Sequence, residues 1–186
     1  CADEMWDETD GFFYDLLRYP SGEAVRLKVR SMVGLLPLCA ATVVDSDALK
    51  RVPSLRTRTQ AFMKRNPELC ANIAPLDRLG LDDRILLSVF NEDKLRRVLS
   101  KLLDENEFLS PYGIRALSRC HEQQPYMFDV HGQRYEVRYL PAESDNGMFG
   151  GNSNWRGPIW MPVNMLIVRS LLHLYAYYGD DFRVEC

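Results

Sequence analysis

One loop of the sequence combines the side-chain types that proteins use to bind carbohydrates. Residues 150–160 contain three glycines together with Asn154, Trp155, Arg156 and Trp160. Indole rings stack on the apolar faces of sugars, while amide and guanidinium groups hydrogen-bond to the flanking hydroxyls. The glycines allow close approach of the backbone to a ligand. The same residues also fit a well-packed loop with aromatic anchors and an arginine ion pair, and both interpretations stay open.

Two further segments carry candidate chemistry. Residues 108–118 place Tyr112 in a Pro-Tyr-Gly turn, followed by the buriable cation Arg115, although a rigid connector would have the same composition. Residues 7–15 hold four carboxylates that could bind a cation. However, Trp6 occupies the position where a calcium loop needs Asp, so an acidic surface turn is the alternative. The three histidines do not cluster, and no common catalytic motif occurs.

The surrounding pattern predicts mainly helices with short hairpins. Residues 26–44 are interpreted as an apolar helix kinked at Pro37, and Ser54 is predicted to cap a helix to about Arg65. Asn91 is predicted to cap the clearest amphipathic helix, which extends through Leu103. Residues 1–22 are interpreted as the end of a helix followed by an extended turn that closes as a hairpin at 20–22. Alternating residues predict a hairpin over 126–140, and a last helix is expected from Pro162 to Tyr178.

Two of these helices, over 26–44 and 162–178, are apolar on nearly all sides, which indicates burial on most faces. A lone two-layer bundle of this size could hardly cover both of them. They fit better as inner elements of a larger, double-layered helical assembly.

Composition excludes several other classes of protein. The 186 residues balance 23 basic against 26 acidic side chains, which gives a net charge of −3 and no basic footprint for nucleic acid. The longest apolar run, 32–44, is too short to span a membrane. The five cysteines form no C-x-x-C pair, and no N-x-[ST] site occurs. We therefore expect a cytoplasmic protein with no nucleic-acid or membrane partner.

Taken in order, the motifs resemble glycoside hydrolase family 63, which contains processing α-glucosidase I and mannosylglycerate hydrolase-like enzymes. The similar segments are residues 6–15, 27–38, 108–115 and 151–164, the last being the most specific. The segment 108–115 is also similar to glycogen-debranching-type glycosidases.

The resemblance implies a mainly α fold, a partial (α/α)6 barrel or helical toroid with short β-hairpin insertions. Residues 1–186 would form part of one catalytic barrel whose ends are missing. It also implies inverting hydrolysis of an α-glycosidic bond by a carboxylic acid and a carboxylate. In the family, the acid lies upstream of the acidic turn and the base lies downstream of the Trp-Arg-Gly-Pro motif. Neither stretch occurs in this sequence, so we assign no catalytic residue and expect these residues alone to be inactive.

The resemblance implies six substrate-binding candidates: Trp155 and Trp160 as walls of a sugar pocket, Asn154 and Arg156 as polar contacts, and Tyr112 and Arg115 as contacts or supports. The expected partners are a small sugar or oligosaccharide and the remaining segments of the same barrel, with no cofactor and no metal. Three alternatives stay open: a debranching-type glycosidase, a non-catalytic carbohydrate-binding or scaffold module, and a helical interaction protein without a sugar site.

Overall fold

The computed structural model of the protein describes residues 4–140 and 158–185. The chain divides into two compact units. The first comprises Cys1–Leu36, Arg97–Asn164 and Cys186, and the second comprises Pro37–Arg96 and Met165–Glu185. Each unit is therefore built from segments that are distant in sequence.

The strands of the described residues pair two by two into small antiparallel sheets. In the first unit these are β1 with β2 (Trp6–Asp7, Phe12–Phe13), β3 with β4 (Asp15–Arg18, Ala24–Leu27), β7 with β8 (Leu109–Ser110, Gly113–Ile114) and β9 with β10 (Tyr126–Val130, Gln133–Val137). In the second unit β5 pairs with β6 (Ala41–Asp45, Arg84–Ser88).

The α-helices of the described residues are α1 (Ser46–Lys50), α2 (Pro53–Arg65), α3 (Pro67–Cys70), α4 (Glu92–Leu103) and α5 (Met161–Tyr178). Short 3-10 helices occupy Met32–Cys39, Leu81–Asp83, Arg119–Glu122 and Gly179–Asp181. No helix within the described ranges is long and apolar enough to cross a membrane.

The expected partial (α/α)6 barrel is wrong for this structure. Of the described residues, 42% are helical and 24% lie in strands or bridges, and these elements form five small sheets and no barrel. The error is clearest over 26–44, which we interpreted as one kinked helix. Within this segment, β4 ends at Leu27, Met32–Cys39 forms a 3-10 helix, and β5 begins at Ala41.

Local chemistry explains why 26–44 is not a helix. Pro37 lacks a backbone N–H and is compatible with a short 3-10 helix but not with a long α-helix interior. The β-branched residues Thr42, Val43 and Val44 then pair in register with the apolar strand 85–87. An apolar run of this length fits a buried helix and a strand equally well until its pairing partner is known.

Three of the sequence-predicted elements are confirmed. Asn91 caps α4, because its Oδ1 accepts the backbone N–H of Lys94 at 2.9 Å. The hairpin β9–β10 turns at His131 and Gly132, which have φ of 50° and 76°. The last helix ends at Tyr178, before Gly179 with φ of 67°. The helix predicted near 54–65 also exists, but it begins at Pro53 and Ser54 is not its cap.

The core of the first unit is aromatic and aliphatic. Phe12 stacks on Phe108 with ring centroids 5.7 Å apart, and both rings are fully buried. Gly34 lies against this stack, since a Cβ at this position would overlap the Phe12 ring. The other large buried side chains of this unit include Met32, Leu35, Val98, Leu99 and Leu102.

In the second unit, α5 buries only one of its faces. Ile167, Ser170, Leu174 and Tyr177 are buried, whereas Met165, Val168, Leu172 and Tyr175 are between 52% and 65% exposed. Each set follows the alternating spacing of three and four residues that places side chains on one face of a helix. Within the described residues, α5 is therefore buried on one face and exposes an apolar second face, and its burial in a larger helical assembly stays a prediction.

Candidate sugar-binding site

The hairpin β7–β8 presents Tyr112 at its tip. The Tyr112 side chain is 83% exposed, which is the highest value among the exposed large hydrophobic side chains of the described residues. Ser110 stabilises the turn, because its Oγ donates to the Gly113 carbonyl at 2.7 Å and accepts the Tyr112 N–H at 3.2 Å. The hairpin therefore offers an aromatic ring to solvent on a hydrogen-bonded turn.

The Arg115 side chain is hydrogen-bonded to the residues that precede this hairpin and to its first strand. Its guanidinium group donates to the Glu105 carbonyl at 3.0 Å and, in a shorter contact, to the Leu109 carbonyl. Its Nε donates to the Tyr139 hydroxyl at 3.2 Å. Through these bonds, Arg115 braces residues 105–109, which precede the tip of the hairpin.

Trp160 lies on a segment that runs antiparallel to the residues after β8. The Ala116 N–H donates to the Pro158 carbonyl at 2.7 Å, and Arg115 forms a β-bridge with Ile159. The Trp160 side chain is half-buried at the start of α5. The structure thus brings together the Tyr112 hairpin and the Trp160 segment, which are separate motifs in the sequence.

A buried amide joins the two segments directly. Asn164 accepts the Ile114 N–H on Oδ1 at 2.7 Å. Its Nδ2 donates to the Ile114 carbonyl at 3.2 Å and to the Trp160 carbonyl at 3.0 Å. Asn164 is the last residue of the family-similar segment 151–164, but its contact with Ile114 was not anticipated from the sequence.

Three of the six site candidates, Asn154, Trp155 and Arg156, lie outside the described residues. For the other three, the structure places Tyr112 and Trp160 on adjoining segments and assigns Arg115 to their support. Their proposed contacts with sugar remain predictions.

A buried polar cluster of Tyr14, Arg30, Glu107 and Ser118 lies in the same unit and was not anticipated from the sequence. Glu107 accepts short hydrogen bonds from Arg30 Nη1 and Ser118 Oγ. Arg30 also reaches the Tyr14 hydroxyl at 3.3 Å. Burial alone would lower the pKa of Arg30, but Tyr14 and Glu107 raise it above its usual value, so the guanidinium stays charged.

His121 joins the same cluster in its neutral form. Its Nε2 accepts the Arg30 backbone N–H at 2.9 Å, so the proton is on Nδ1, which donates to the Gln124 carbonyl at 3.1 Å. Burial lowers the pKa of His121 below its ordinary value, and the nearby Arg30 charge acts in the same direction. Its bonds identify His121 as a structural residue that fixes the chain near Arg30.

The acidic turn is likewise structural in the described residues. The buried Asp7 carboxylate accepts the N–H groups of Thr9 at 3.0 Å and Asp10 at 2.9 Å, and it forms an ion pair with Lys28 at 3.0 Å. Burial would raise the pKa of Asp7, but the Asp10 N–H, the hydrogen bond from Lys28 and the charges of Lys28 and Arg26 hold it below its usual range. Within the part of the chain that the structure describes, no group of three or more potential ligands is placed to hold a metal ion.

Comparison with known families identifies the class of protein. Residues 83–184 match the profile of the glycosyl hydrolase family 63 C-terminal domain, which is more than half of the chain. The protein belongs to glycoside hydrolase family 63. The resemblance drawn from the sequence motifs is thereby confirmed at the level of the family.

Two curated relatives are considerably longer than this chain. A Saccharomyces cerevisiae protein described as uncharacterized is 48% identical over 183 residues, which cover 98% of this chain and 17% of the relative. A Schizosaccharomyces pombe protein named as a probable mannosyl-oligosaccharide glucosidase is 39% identical over 83 residues, covering 44% of this chain and 7% of that protein. The chain thus spans about a sixth of the first relative's length.

Proposed function

We propose that this chain forms part of an inverting α-glycosidase and contributes a portion of its sugar-binding surface. Membership of family 63 supports the reaction class. The observation that carries the site is the joining of the exposed Tyr112 hairpin to the Trp160 segment through Asn164. An exposed aromatic ring and a half-buried indole on adjoining segments suit the apolar faces of a sugar.

The substrate that we infer is an α-glucoside at the end of an oligosaccharide. The name of the S. pombe relative supports this class over a free disaccharide. A mannosylglycerate or glucosylglycerate type of substrate and the linear α-glucans of debranching-type enzymes are the alternatives. Competition between these ligands in one binding assay would rank them.

The general acid and base are proposed to come from polypeptide outside these 186 residues. Inverting glycosidases place two carboxyl groups about 6.5–9.5 Å apart to admit a water molecule between the base and the sugar. Asp7 and Glu107 are occupied by backbone, cation and hydroxyl partners, which does not suit either role. These 186 residues alone should therefore show no turnover.

The open face of α5 supports a second element of this proposal. We infer that Met165, Val168, Leu172 and Tyr175, all exposed here, pack against further segments of a longer polypeptide. A longer polypeptide that also contains the stretches expected to carry the general acid and the general base should then be more soluble than this chain and should bind less hydrophobic dye. Equal dye binding by the two polypeptides would contradict this inference.

Sugar binding is tested by calorimetric titration of maltose, methyl α-glucoside and mannose into this chain. Saturable binding is expected, and Trp160→Ala and Tyr112→Ala should each weaken it about tenfold, equivalent to about 1.4 kcal/mol. The matched control is Tyr175→Ala, which removes another solvent-exposed tyrosine ring, from α5, and should leave affinity unchanged. No binding by the wild-type chain would reject the sugar site.

Hydrolysis of methyl α-glucosides by the longer polypeptide separates an enzyme from a non-catalytic carbohydrate-binding module. NMR detection of the β-anomer as first product is the expected outcome for an inverting enzyme. Binding without turnover in that polypeptide would favour the module, for which the lack of the acid and base stretches in these residues is the supporting observation.

We also propose a cytoplasmic location. The basis is that the sequence has an odd number of cysteines, five, which are far apart, and has no N-x-[ST] site.

A further inference from the structure

Asn164 bonds to Ile114 in the way that a neighbouring strand would. Its amide accepts the Ile114 N–H and donates to the Ile114 carbonyl, so both polar backbone groups of one residue are satisfied by one side chain. The second donor of the same amide holds the Trp160 carbonyl. Asn164 is 7% exposed, so these bonds are made away from bulk water.

The hairpin that carries Tyr112 depends on such a contact. Its strands β7 and β8 have two residues each, and an isolated pair of this length is not stable in water. Asn164 adds a second row of hydrogen bonds to β8, on a residue two positions from Tyr112. Asn164 therefore adds a side-chain link to the Arg115–Ile159 bridge between the backbone that bears Tyr112 and the backbone that bears Trp160.

Gly113 gives an independent indication that this junction is closely fitted. Its φ is 127°, a conformation that side chains other than hydrogen rarely adopt. A Cβ at this position would also lie 2.8 Å from Asn164 Oδ1 and 3.2 Å from Ile159 Cγ2. Glycine at this position allows the amide to approach the strand.

We propose that Asn164 is a positioning residue for the sugar-binding surface. Its amide sets the separation and orientation of Tyr112 and Trp160 without touching the sugar, because it is buried and its donors are used. This inference rests on the proposed sugar site. It predicts that removing the amide weakens sugar affinity through these two aromatic residues and not through general loss of stability.

The test compares Asn164→Ala and Asn164→Asp with Ser170→Ala in calorimetric titrations of maltose. Ser170 is the matched control, because it is also a buried polar residue of α5 and its Oγ donates to the Leu166 carbonyl at 2.9 Å. Both Asn164 variants should raise Kd about tenfold, whereas the control should change it less than about twofold. Circular dichroism confirms that each protein is folded at the temperature of titration.

A double-mutant cycle separates positioning from instability. In a chain that already carries Tyr112→Ala and Trp160→Ala, adding Asn164→Ala should not change the residual Kd further. A full tenfold additional loss in that background, or an unchanged Kd for Asn164→Ala in the wild-type background, would overturn the proposal.

Amide hydrogen exchange at Ile114 keeps the test independent of the sugar site. Asn164→Ala should increase exchange of the Ile114 N–H at least about tenfold, while the control leaves it unchanged. If the wild-type chain binds no sugar, the proposed function fails, and the exchange rate alone decides whether Asn164 holds the hairpin. Unchanged exchange at Ile114 would then overturn the positioning role.

Discussion

Removing the Glu107 carboxylate should be among the most destabilising single changes in the first unit. Glu107 neutralises Arg30, and the side chains are 13% and 19% exposed. Leaving one charge of a buried pair without its partner typically costs about 3–5 kcal/mol. Because some solvent reaches both groups, we expect about 2–4 kcal/mol for Glu107→Ala.

The measurement is chemical unfolding followed by circular dichroism, with the midpoint in urea compared at constant slope. For a chain of this size, a loss of about 3 kcal/mol corresponds to a fall in Tm of about 6–12 °C. The control is Glu122→Ala, which breaks the exposed Arg119–Glu122 pair, with side chains 47% and 43% exposed. Such surface pairs contribute about 0–1 kcal/mol.

The double variant Arg30→Met with Glu107→Leu tests the reason for the effect. If the cost arises from an uncompensated charge, removing both charges should restore part of the stability that Glu107→Ala loses. Loss of less than about 1 kcal/mol for Glu107→Ala, or equal losses for Glu107→Ala and Glu122→Ala, would refute the reasoning.

Three further predictions follow from the same unit. The pKa of His121 is lowered in the folded chain, whereas in the unfolded chain it has its ordinary value of about 6.5. Below that pH the unfolded chain therefore binds more protons than the folded chain, so the free energy of unfolding should fall as the pH drops. Urea midpoints measured between pH 7.5 and 5.5 test this dependence. His121→Asn should flatten this dependence. Asp7→Asn should lose about 1.5–3 kcal/mol at pH 7 in urea unfolding, because a charged acceptor is replaced, and the loss should shrink as the pH falls through the lowered pKa of Asp7. Gly34→Ala should cost about 1–3 kcal/mol in urea unfolding relative to the wild-type chain, because the added Cβ would overlap Phe12.

The family could be predicted from the sequence, because its motifs are short and local. The family comparison confirms that resemblance, whereas the roles of Tyr112 and Trp160, proposed from the residues around them, stay predictions. Their meeting could not be predicted, since it depends on bonds between positions 114 and 164, fifty residues apart.

Local signals also determined several elements. The Asn91 cap, the His131-Gly132 turn and the stop at Gly179 each depend on the conformational preferences of one or two residues. These preferences hold in any tertiary context that leaves the segment intact, which is why α4, β9–β10 and the end of α5 were predicted correctly.

Only the tertiary structure decided the state of the apolar run 32–44 and the roles of the charged residues. Hydrophobic content predicts burial of this run, but its pairing with residues 84–88 makes part of it a strand. Arg115 was expected to contact a ligand or to support the site, and only the tertiary structure supplies the Glu105 and Leu109 carbonyls to which it donates. Arg30 forms an ion pair with Glu107, which is 77 positions away in the sequence. Neighbouring residues do not predict such a pair, because the partner of a buried charge depends on which segments the fold places together.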